Sequence, residues 1–377
     1  MTDRRSFLYG SAAALASSAV QAAPAKEIRT AMVGVGSRGG SLLGQVLAQE
    51  SVKVAAICDI DPQARDQALS RAGRDSPRSF TDYRQVLDLK DVDAVVVATP
   101  CDLHAEMAAA SLKAGKYVYC EKPLGITPEQ VDMALQAARR SKVFLQFGQQ
   151  LRYFPGLREV IRQIQQDGIL GQTFVIKAQR HSTPVRPDVQ RRPRPAWYED
   201  VKRSGDLIVE NAVHNIDCCN WIAGSHPVSA YGHGKRYLPK PIPAGTLMMD
   251  GFSVEYIYEN DIHLDYSQLY LHPRALKTLQ NNQWYVIFGE KGAVHLTHEG
   301  GGILYEHHAE QGRQLLTQAL QEAKENAMSD FYACIRENRK PYAGIEVAAT
   351  AALTAIMGRE AIYKGRSVTW KELGVSV

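Results

Sequence analysis

The stretch 28–39 reads IRTAMVGVGSRG, an apolar run that ends in three closely spaced glycines. Apolar residues at helical spacing follow directly, so the local order is strand, tight turn and helix. Gly34, Gly36 and Gly39 fit the pattern G-x-G-x-x-G, in which residues without a Cβ atom let the backbone turn sharply and approach a pyrophosphate. The phosphates then sit at the positive N-terminus of the helix. The stretch therefore predicts the first turn of a dinucleotide-binding Rossmann domain.

Strand and helix patterns alternate from this turn to about residue 150. The predicted strands are 28–35, 52–58, 92–98, 117–120 and 143–147, and the predicted helices between them include 62–72, 104–114 and 128–140. Strands that alternate with helices in this way indicate a doubly wound parallel sheet with right-handed crossovers.

Beyond residue 150 the pattern becomes mostly strand-like. After a predicted helix at 155–166, the predicted strands are 173–178, 253–259, 263–271, 284–288 and 293–296, and two long helices at 315–336 and 346–364 close the chain. We therefore predict an α+β domain with a large, mostly antiparallel open sheet, one face of which could form a dimer interface. The Pro- and Arg-rich segment 184–195 is interpreted as an ordered loop or as an arm that packs on a neighbouring subunit.

The N-terminus has the zones of an export signal. Arg4 and Arg5 precede an apolar, small-residue run at 9–20, which is the order typical of a twin-arginine signal. We therefore divide the chain into a signal peptide at 1–25, a Rossmann domain at 26–150 and an α+β domain at 151–377, whose C-terminal helices pack back toward the first domain. Because this route exports folded proteins, we expect a periplasmic enzyme that leaves the cytoplasm with its dinucleotide tightly bound.

Composition excludes several other classes of function. The formal net charge is +4 and the basic residues are spread along the chain, so nothing favours a nucleic-acid partner. No run after the signal approaches the roughly 20 apolar residues of a membrane span. The six cysteines lack the spacing of a zinc site and are expected to be buried free thiols, and the late histidines form no metal-binding pattern.

Further candidate cofactor contacts follow the predicted strands. Ser37 and Arg38 lie within the glycine turn, and Asp59 ends the second strand, where a carboxylate can bind the adenosine ribose and repel a 2′-phosphate. We therefore favour NAD over NADP, with Arg38 as the residue that could accommodate NADP. Thr99 and Pro100 either line the path of the cofactor or simply end a strand. His104 either contacts the ribose or caps a helix.

A second motif, Glu121-Lys122-Pro123, directly follows another predicted strand. Together with the glycine turn, with Ala98-Thr99-Pro100 and with His214, it resembles the glucose-fructose oxidoreductase and inositol dehydrogenase family, often written Gfo/Idh/MocA. The resemblance covers nearly the whole mature chain. It implies that Glu121 and Lys122 border the cofactor, that Lys122 polarises the reacting oxygen, and that the peptide bond before the proline is cis.

The resemblance also points to the segment 210–217. If that segment is one helix, then Glu210, His214 and Asp217 lie on neighbouring positions of one face. Family members tend to have an aspartate where this chain has Glu210, and their histidine takes the proton of the hydroxyl being oxidised. An imidazole is suited to that work near neutral pH. We therefore assign His214 as the acid/base, while Glu210 orients the substrate or the imidazole, or is a structural carboxylate.

Candidate substrate contacts are aromatic and basic residues that could stack on a sugar ring or bind its hydroxyls. They are Arg152, Tyr153, Arg180, Trp197 and Tyr198, together with Asp217. The favoured function is hydride transfer between a carbinol carbon of a sugar, glycoside or cyclitol and a nicotinamide, by a homodimer or homotetramer. The alternatives are an NAD-dependent glycosidase that oxidises its substrate transiently, and a non-catalytic sugar or dinucleotide sensor.

Overall fold

Two β-sheets organise the chain in the computed structural model, which describes residues 27–183, 195–238, 247–273, 275–276, 283–297, 301–322 and 325–377. The first sheet is parallel and the second is mostly antiparallel. The predicted signal peptide and nearly all of the predicted arm at 184–195 lie outside the described residues.

The first sheet has six parallel strands and helices between them. In chain order the elements are β1 (Ile28–Val33), α1 (Ser37–Leu47), β2 (Val52–Cys58), α2 (Pro62–Arg71), β3 (Arg78–Phe80), α3 (Tyr83–Leu87), β4 (Ala94–Val97), α4 (His104–Lys113), β5 (Tyr117–Cys120), α5 (Pro128–Arg139) and β6 (Leu145–Phe147). The strand order β3-β2-β1-β4-β5-β6 is that of a Rossmann domain. All four residues of β4 are buried, as expected for a strand covered by helices on both faces.

Local sequence fixes where the helices of this domain begin. The Asp61 side chain accepts a hydrogen bond from the Gln63 amide at the start of α2, and Pro62 occupies the first turn. Thr127 caps α5 in the same way, again with a proline in the first turn. A capping side chain satisfies an amide that has no partner inside the helix, and proline lacks the amide that would need one.

The second domain is built on a nine-stranded sheet. Its elements are α6 (Pro155–Gln165), β7 (Thr173–His181), α7 (Ala196–Glu199), α8 (Val201–Ser204), α9 (Asp206–Glu210), α10 (Val213–Ala223), β8 (Pro227–Lys235), β9 (Gly251–Tyr258), β10 (His263–Leu269), β11 (Gln283–Gly289), β12 (Gly292–Thr297), β13 (Gly302–Glu306), β14 (Arg313–Gln314), α11 (Gln318–Glu322), α12 (Ala327–Glu337), α13 (Ile345–Lys364) and β15 (Val368–Thr369). The strand order is β14-β13-β12-β11-β7-β10-β9-β8-β15, and the β7–β10 pair is parallel within an otherwise antiparallel sheet. The predicted fold class is confirmed.

The second sheet has one buried and one open face. In β9 every second side chain, from Phe252 to Tyr258, is buried, while Ser253, Glu255 and Ile257 are exposed. The buried side packs against α10 and α13. This alternation is what a half-buried strand requires.

The C-terminal helices also contact the first domain. The Phe147 amide of β6 donates to the Ala343 carbonyl at 2.7 Å, and the Gln146 side chain donates to the Ala327 carbonyl at 2.6 Å. The Thr30 hydroxyl of β1 lies 2.9 Å from that of Tyr332. Residues from both ends of the chain thus complete the first domain.

The prediction of one helix over 315–336 is wrong. The segment contains the short α11 and then α12, whose first turn is capped by the Asn326 side chain through the Met328 amide. Asparagine favours such caps over helix interiors because its side chain competes for backbone hydrogen bonds. Leu315 and Leu316, which supplied part of the apolar pattern, are buried before α11 begins.

Two other features concern the cysteines and the membrane. All six cysteines are free and buried, which confirms the prediction made for them. Among the described residues, no helix combines the length and the apolarity needed to cross a bilayer.

Candidate active site

The candidate site lies at the carboxyl edge of the first sheet, where the strand order reverses between β1 and β4. All six parallel strands end at this edge, and five of them are followed by a polar or glycine-rich turn of the candidate site. The residues directly after β1, β2, β4, β5 and β6 include Gly34, Asp59, Thr99, Glu121 and Gln149. Parallel topology therefore brings together residues that are up to 115 positions apart in the numbering (149 − 34).

The glycine turn has two positions fixed by packing and one that opens to solvent. Gly34 has φ +83°, and a Cβ atom on Gly39 would lie 2.0 Å from the Gly34 carbonyl oxygen. Gly36 differs, because a Cβ atom there would meet no protein atom within 4 Å. Gly36 also precedes α1, whose first turn receives no side-chain cap. Open space in front of uncapped amides is what a pyrophosphate requires, so the turn fits a dinucleotide.

Asp59 binds the glycine turn to the end of β2. One carboxylate oxygen accepts the Val35 amide at 2.7 Å, and the other accepts the Asp61 amide at 2.9 Å. Each oxygen keeps a lone pair that could accept a ribose hydroxyl. The predicted ribose contact is therefore compatible with a second role, which is to hold the turn in place.

Arg38 is directed away from Asp59 and toward the turn after β5. Its guanidinium forms an ion pair with the buried Glu121 carboxylate, with nitrogen to oxygen distances of 2.7 Å. Burial lowers the pKa of Arg38, but Glu121 and Tyr119 raise it more. Because this pair lies at β5 and not at β2, Arg38 is not oriented toward a 2′-phosphate on the ribose beside Asp59.

His104 has a different role from either that we predicted. Its ring is 1% exposed, Nδ1 lies 2.7 Å from the Pro123 carbonyl oxygen, and Nε2 lies 2.8 Å from that of Thr99. Burial lowers its pKa. Both nitrogens face backbone carbonyl oxygens, and the neutral imidazole donates to one of them, so the ring packs between the turn after β4 and the turn after β5. This geometry favours support of the site over contact with a ribose.

Lys122 lies in the turn after β5, and its peptide bond to Pro123 is cis, as the resemblance implies. The Lys122 ammonium donates to the Glu210 carboxylate at 2.6 Å and to the Glu210 carbonyl at 2.5 Å. The two side chains are 15% and 9% exposed. Burial lowers the pKa of Lys122, but Glu210 and the neighbouring Cys101 and Glu121 raise it above its usual value. The residue is therefore a cation held in one position.

His214 is oriented by a residue that we did not predict. Its Nδ1 lies 2.7 Å from the Gln149 amide oxygen, and the Gln149 amide nitrogen donates to the Val213 carbonyl at 3.0 Å. Because the nitrogen end of the amide is fixed by a carbonyl, the end that faces His214 is oxygen, and the imidazole proton must be on Nδ1. This leaves the Nε2 lone pair for a substrate proton.

Several charges act on this imidazole. Burial lowers the pKa of His214 well below its usual value, and Lys122, Arg180 and Arg38 lower it further. The ring is therefore neutral at pH 7, which is the form that a general base requires.

The helix predicted over 210–217 is interrupted. Glu210 ends α9, and α10 begins at Val213. In a continuous helix the Glu210 carbonyl would accept from the amide one turn later, whereas here it accepts the Lys122 ammonium. Glu210 thus binds Lys122, and the prediction that it shares a helix face with His214 and Asp217 is wrong.

Two predicted substrate residues bind each other. Arg152 and Asp217 form a bidentate ion pair at 2.8 and 2.9 Å, and the Arg152 guanidinium lies 4.8 Å from the Trp221 ring centroid. Both side chains are mostly buried. Their hydrogen-bonding groups are used in the protein interior, so a structural role replaces the predicted contact with substrate.

Tyr153 is also unsuited to substrate binding, because it is 1% exposed and packs edge-on against Tyr342. Trp197 and Tyr198 lie half-buried on α7 with ring centroids 5.8 Å apart, and they remain predicted substrate contacts. Arg180 lies near the C-terminal end of β7, partly exposed and close enough to His214 to affect its pKa. Arg180 is therefore the predicted substrate residue whose charge acts on His214.

Polar groups that we did not predict lie beside Arg180. Gln268 and Gln283 are directly opposite Arg180 on the two adjacent strands, and Gln268 donates to the Asn211 side chain at 2.8 Å. Neutral amides carry no charge signal in a sequence. Gln149 could have been found, because it follows β6 at the same sheet edge as Lys122.

Among the described residues, no group of three or more potential metal ligands clusters together.

Comparison with known proteins agrees with this geometry. Residues 28–149 match the family model described as the NAD-binding Rossmann fold of the Gfo/Idh/MocA oxidoreductases, and residues 162–370 match the model of the C-terminal alpha/beta domain of the same family. The chain belongs to the Gfo/Idh/MocA oxidoreductase family. Lys122 and His214 thus fall in the two matched regions, one in each domain.

Individual Gfo/Idh/MocA relatives share modest sequence identity with parts of this chain. The inositol 2-dehydrogenase of Salmonella typhimurium is 26% identical over 225 residues, which cover 59% of this chain and 61% of that protein. A glycosyl hydrolase family 109 protein of Stenotrophomonas maltophilia is 37% identical over 137 residues, which cover 33% and 30%. The chain spans 58% and 61% of the length of the first two curated relatives.

Among solved structures of similar fold, a levoglucosan dehydrogenase in complex with NADH and levoglucosan superimposes with a TM-score of 0.74. The identity is 19%, and the match covers 91% of this chain and 99% of that one. At this identity the similarity shows the shared fold alone.

Proposed function

We propose that the protein is an exported, NAD-dependent oxidoreductase that moves a hydride between a carbinol carbon of a sugar, glycoside or cyclitol and a tightly bound nicotinamide. The observation that carries the proposal is the arrangement of Lys122 and His214 beside the glycine turn. Lys122 is fixed by Glu210 and His214 is fixed by Gln149. Inositol 2-dehydrogenase and levoglucosan dehydrogenase are named for substrates of this class.

When bound, the nicotinamide supplies the hydride acceptor. His214 takes the hydroxyl proton of the substrate on Nε2 during oxidation and returns it during reduction. Lys122 has three N–H donors, of which two bind Glu210, so the third is available to the developing alkoxide. Glu210 keeps the ammonium in place.

NAD, and not NADP, is proposed as the cofactor. A carboxylate at Asp59 disfavours a 2′-phosphate, and Arg38 is engaged by Glu121 on the other side of the turn. Tight retention is proposed because a protein exported in folded form leaves the cytoplasmic NAD pool.

Single-turnover absorbance at 340 nm tests the redox proposal. The purified protein is first assayed for bound dinucleotide and then mixed with sugars, cyclitols and aryl glycosides. We expect NADH to accumulate with one substrate class and to decay when a ketose or lactone is added. Lys122→Met should abolish the signal. Lys116→Met is the matched control, because Lys116 is also buried and donates to two backbone carbonyls, but lies before β5 and not after it.

A second candidate function is NAD-dependent glycoside hydrolysis. The match to a glycosyl hydrolase family 109 protein favours it, although that match covers 33% of the chain. In this reaction the ring carbon is oxidised, the aglycone leaves by elimination, and the product is reduced again, so NADH does not accumulate. Release of the aglycone from an aryl glycoside, with no lasting change at 340 nm, would replace the first proposal with this one.

We propose periplasmic localisation by the twin-arginine route. The support is the sequence 4–20, with its paired arginines and apolar run, together with six free cysteines that need no oxidising compartment. Replacing Arg4 and Arg5 with lysine should retain the full-length precursor in the cytoplasm. Export of that variant at the wild-type level would contradict the assignment.

We also propose that the open face of the second sheet joins two copies of the chain. That face exposes apolar and aromatic side chains on several strands, including Tyr231, Ile257, Phe288 and Tyr305, each 40–46% exposed. Large apolar side chains exposed on one face of a sheet are a feature of interfaces between subunits. Light scattering should give a dimer or tetramer mass, and Ile257→Glu with Phe288→Glu should give monomers; a monomeric wild type would contradict the proposal.

A further inference from the structure

Three polar side chains form a row, here called the floor, on the helix-packed side of the second sheet near His214. Arg180 on β7 is paired with Gln268 on β10 and with Gln283 on β11. Residues directly opposite on adjacent strands point to the same side of a sheet. The Gln268 amide reaches the Asn211 side chain, which lies in the turn between Glu210 and His214. The row therefore faces the catalytic pair.

Arg180 is the unpaired cation of this row. Within the described part of the chain, no carboxylate or hydrogen-bond acceptor binds its guanidinium. The other arginines near the cleft are neutralised, Arg38 by Glu121 and Arg152 by Asp217. A half-buried cation without a partner costs free energy, because it has lost part of its hydration and gained nothing in exchange.

The neighbouring ion pairs do not balance this charge. Lys122 and Arg38 each bind a carboxylate of the protein, so those carboxylates are not available to Arg180. An oxidised nicotinamide would add a positive charge nearby, and a neutral sugar would supply no negative charge to offset it.

We propose that Arg180 binds a carboxylate of the substrate, so that the sugar oxidised here is a sugar acid such as a hexuronate. This inference rests on the proposed function and names its substrate class. The planar guanidinium offers two parallel N–H groups to the two oxygens of one carboxylate, and the amides of Gln268 and Gln283 lie on either side.

A carboxylate fits this floor better than a phosphate does. A phosphate monoester carries nearly two negative charges at neutral pH. Its second charge would need a second free cation, whereas Lys122 and Arg38 already bind carboxylates. One unpaired arginine between two neutral amides matches a single negative charge.

The experiment compares sugars that differ only at C6. Glucuronate, galacturonate and mannuronate are each measured against glucose, galactose and mannose, with glucose 6-phosphate as the phosphate arm. One assay follows cofactor reduction at 340 nm. The other measures binding by calorimetry to the enzyme holding reduced cofactor, where no turnover occurs. We expect at least one acid to exceed its neutral partner by about 100-fold in kcat/KM and in affinity.

Variants connect this preference to the residue. Arg180→Met should reduce the ratio of kcat/KM for the acid to kcat/KM for the neutral sugar by about 100-fold. Arg180→Lys keeps the charge but loses the two parallel N–H donors of the guanidinium, and should reduce this ratio by about 10-fold. Lys177→Met is the control, because Lys177 lies on the same strand, faces the open side of the sheet and pairs with Asp265. It should leave the ratio unchanged.

The outcomes separate the two proposals. If neutral sugars or the phosphate are preferred, or if Arg180→Met leaves the ratio intact, the carboxylate inference is wrong while the redox function stands. If no sugar reduces the cofactor, the redox function fails, and the binding assay alone decides whether Arg180 selects an acid. Absence of any binding by the acids would also overturn the inference.

Discussion

The hydrogen bond between Gln149 and His214 leads to a sharp prediction about tautomers. Gln149→Leu keeps the volume of the side chain and removes both of its hydrogen bonds. The imidazole loses the acceptor that holds its proton on Nδ1, and the Val213 carbonyl loses its donor. The proton can then move to Nε2, where it blocks the position that must accept the substrate proton.

The magnitude follows from the two contacts. Gln149 is fully buried, and a buried hydrogen bond of this kind is worth about 1 to 2 kcal/mol. Losing about 2 kcal/mol of preference for the productive tautomer should reduce kcat/KM about 30-fold. The free energy of unfolding should also fall by about 1–3 kcal/mol, because two polar groups are left without partners.

The assay is the pH dependence of single-turnover NADH formation. Gln149→Glu should largely restore the rate, since a carboxylate can also accept from Nδ1, but its charge should raise the pKa of His214 and shift the acidic limb to higher pH. Gln146→Leu is the control for stability, because Gln146 is equally buried on β6 and binds the Ala327 carbonyl away from the imidazole. If Gln149→Leu retains the wild-type rate, or if Gln146→Leu loses as much, the tautomer argument is refuted.

Three further predictions concern other parts of the site. Gly36→Ala should leave the free energy of unfolding nearly unchanged but weaken NAD binding at least 10-fold, because its Cβ atom would enter the open space before α1. Gly39→Ala, whose Cβ atom would collide with the Gly34 carbonyl, should instead destabilise the fold. Calorimetry of the apo and NAD-bound forms measures both effects. Because the pKa of His214 is lowered, the acidic limb of the pH–rate profile for oxidation should lie below pH 6.5. Lys122→Met lacks one of the cations that lower this pKa, so the limb of any residual activity should move to higher pH. An unchanged limb would contradict the assignment. Asp217→Asn should cost about 3 kcal/mol of stability, because it leaves its arginine partner buried and unpaired, while activity per folded molecule stays within a few-fold; a large loss of kcat without a loss of stability would instead return Asp217 to the active site.

The sequence predicted the first domain well for a physical reason. Strands such as β4 are buried on both faces and are therefore written as continuous apolar runs, and the turns between them carry glycine, proline and capping residues. The residues that follow these strands must meet at one edge. Lys122 and the glycine turn could be placed by that rule alone.

The rest of the site depends on contacts that leave no local signal. The break between α9 and α10 contains neither glycine nor proline, and at this break a distant ammonium binds the Glu210 carbonyl. Arg152 and Tyr153 have the chemistry of sugar contacts, and nothing in their neighbourhood reveals that one pairs with Asp217 and the other is fully buried. Helical spacing and residue type predict possible partners, whereas tertiary packing selects among them.

The hydrogen bonds that complete β6 also bear on how the protein is made. This strand is the outer edge of the first sheet, and its amide and its glutamine are satisfied by Ala343 and Ala327, which are synthesised long after β6. The nascent first domain must therefore wait with an uncovered strand edge, a surface prone to aggregation, until those residues have been synthesised. A premature stop codon anywhere before residue 327 would make that exposure permanent, so the product of such a truncated message should depend on chaperones or be degraded.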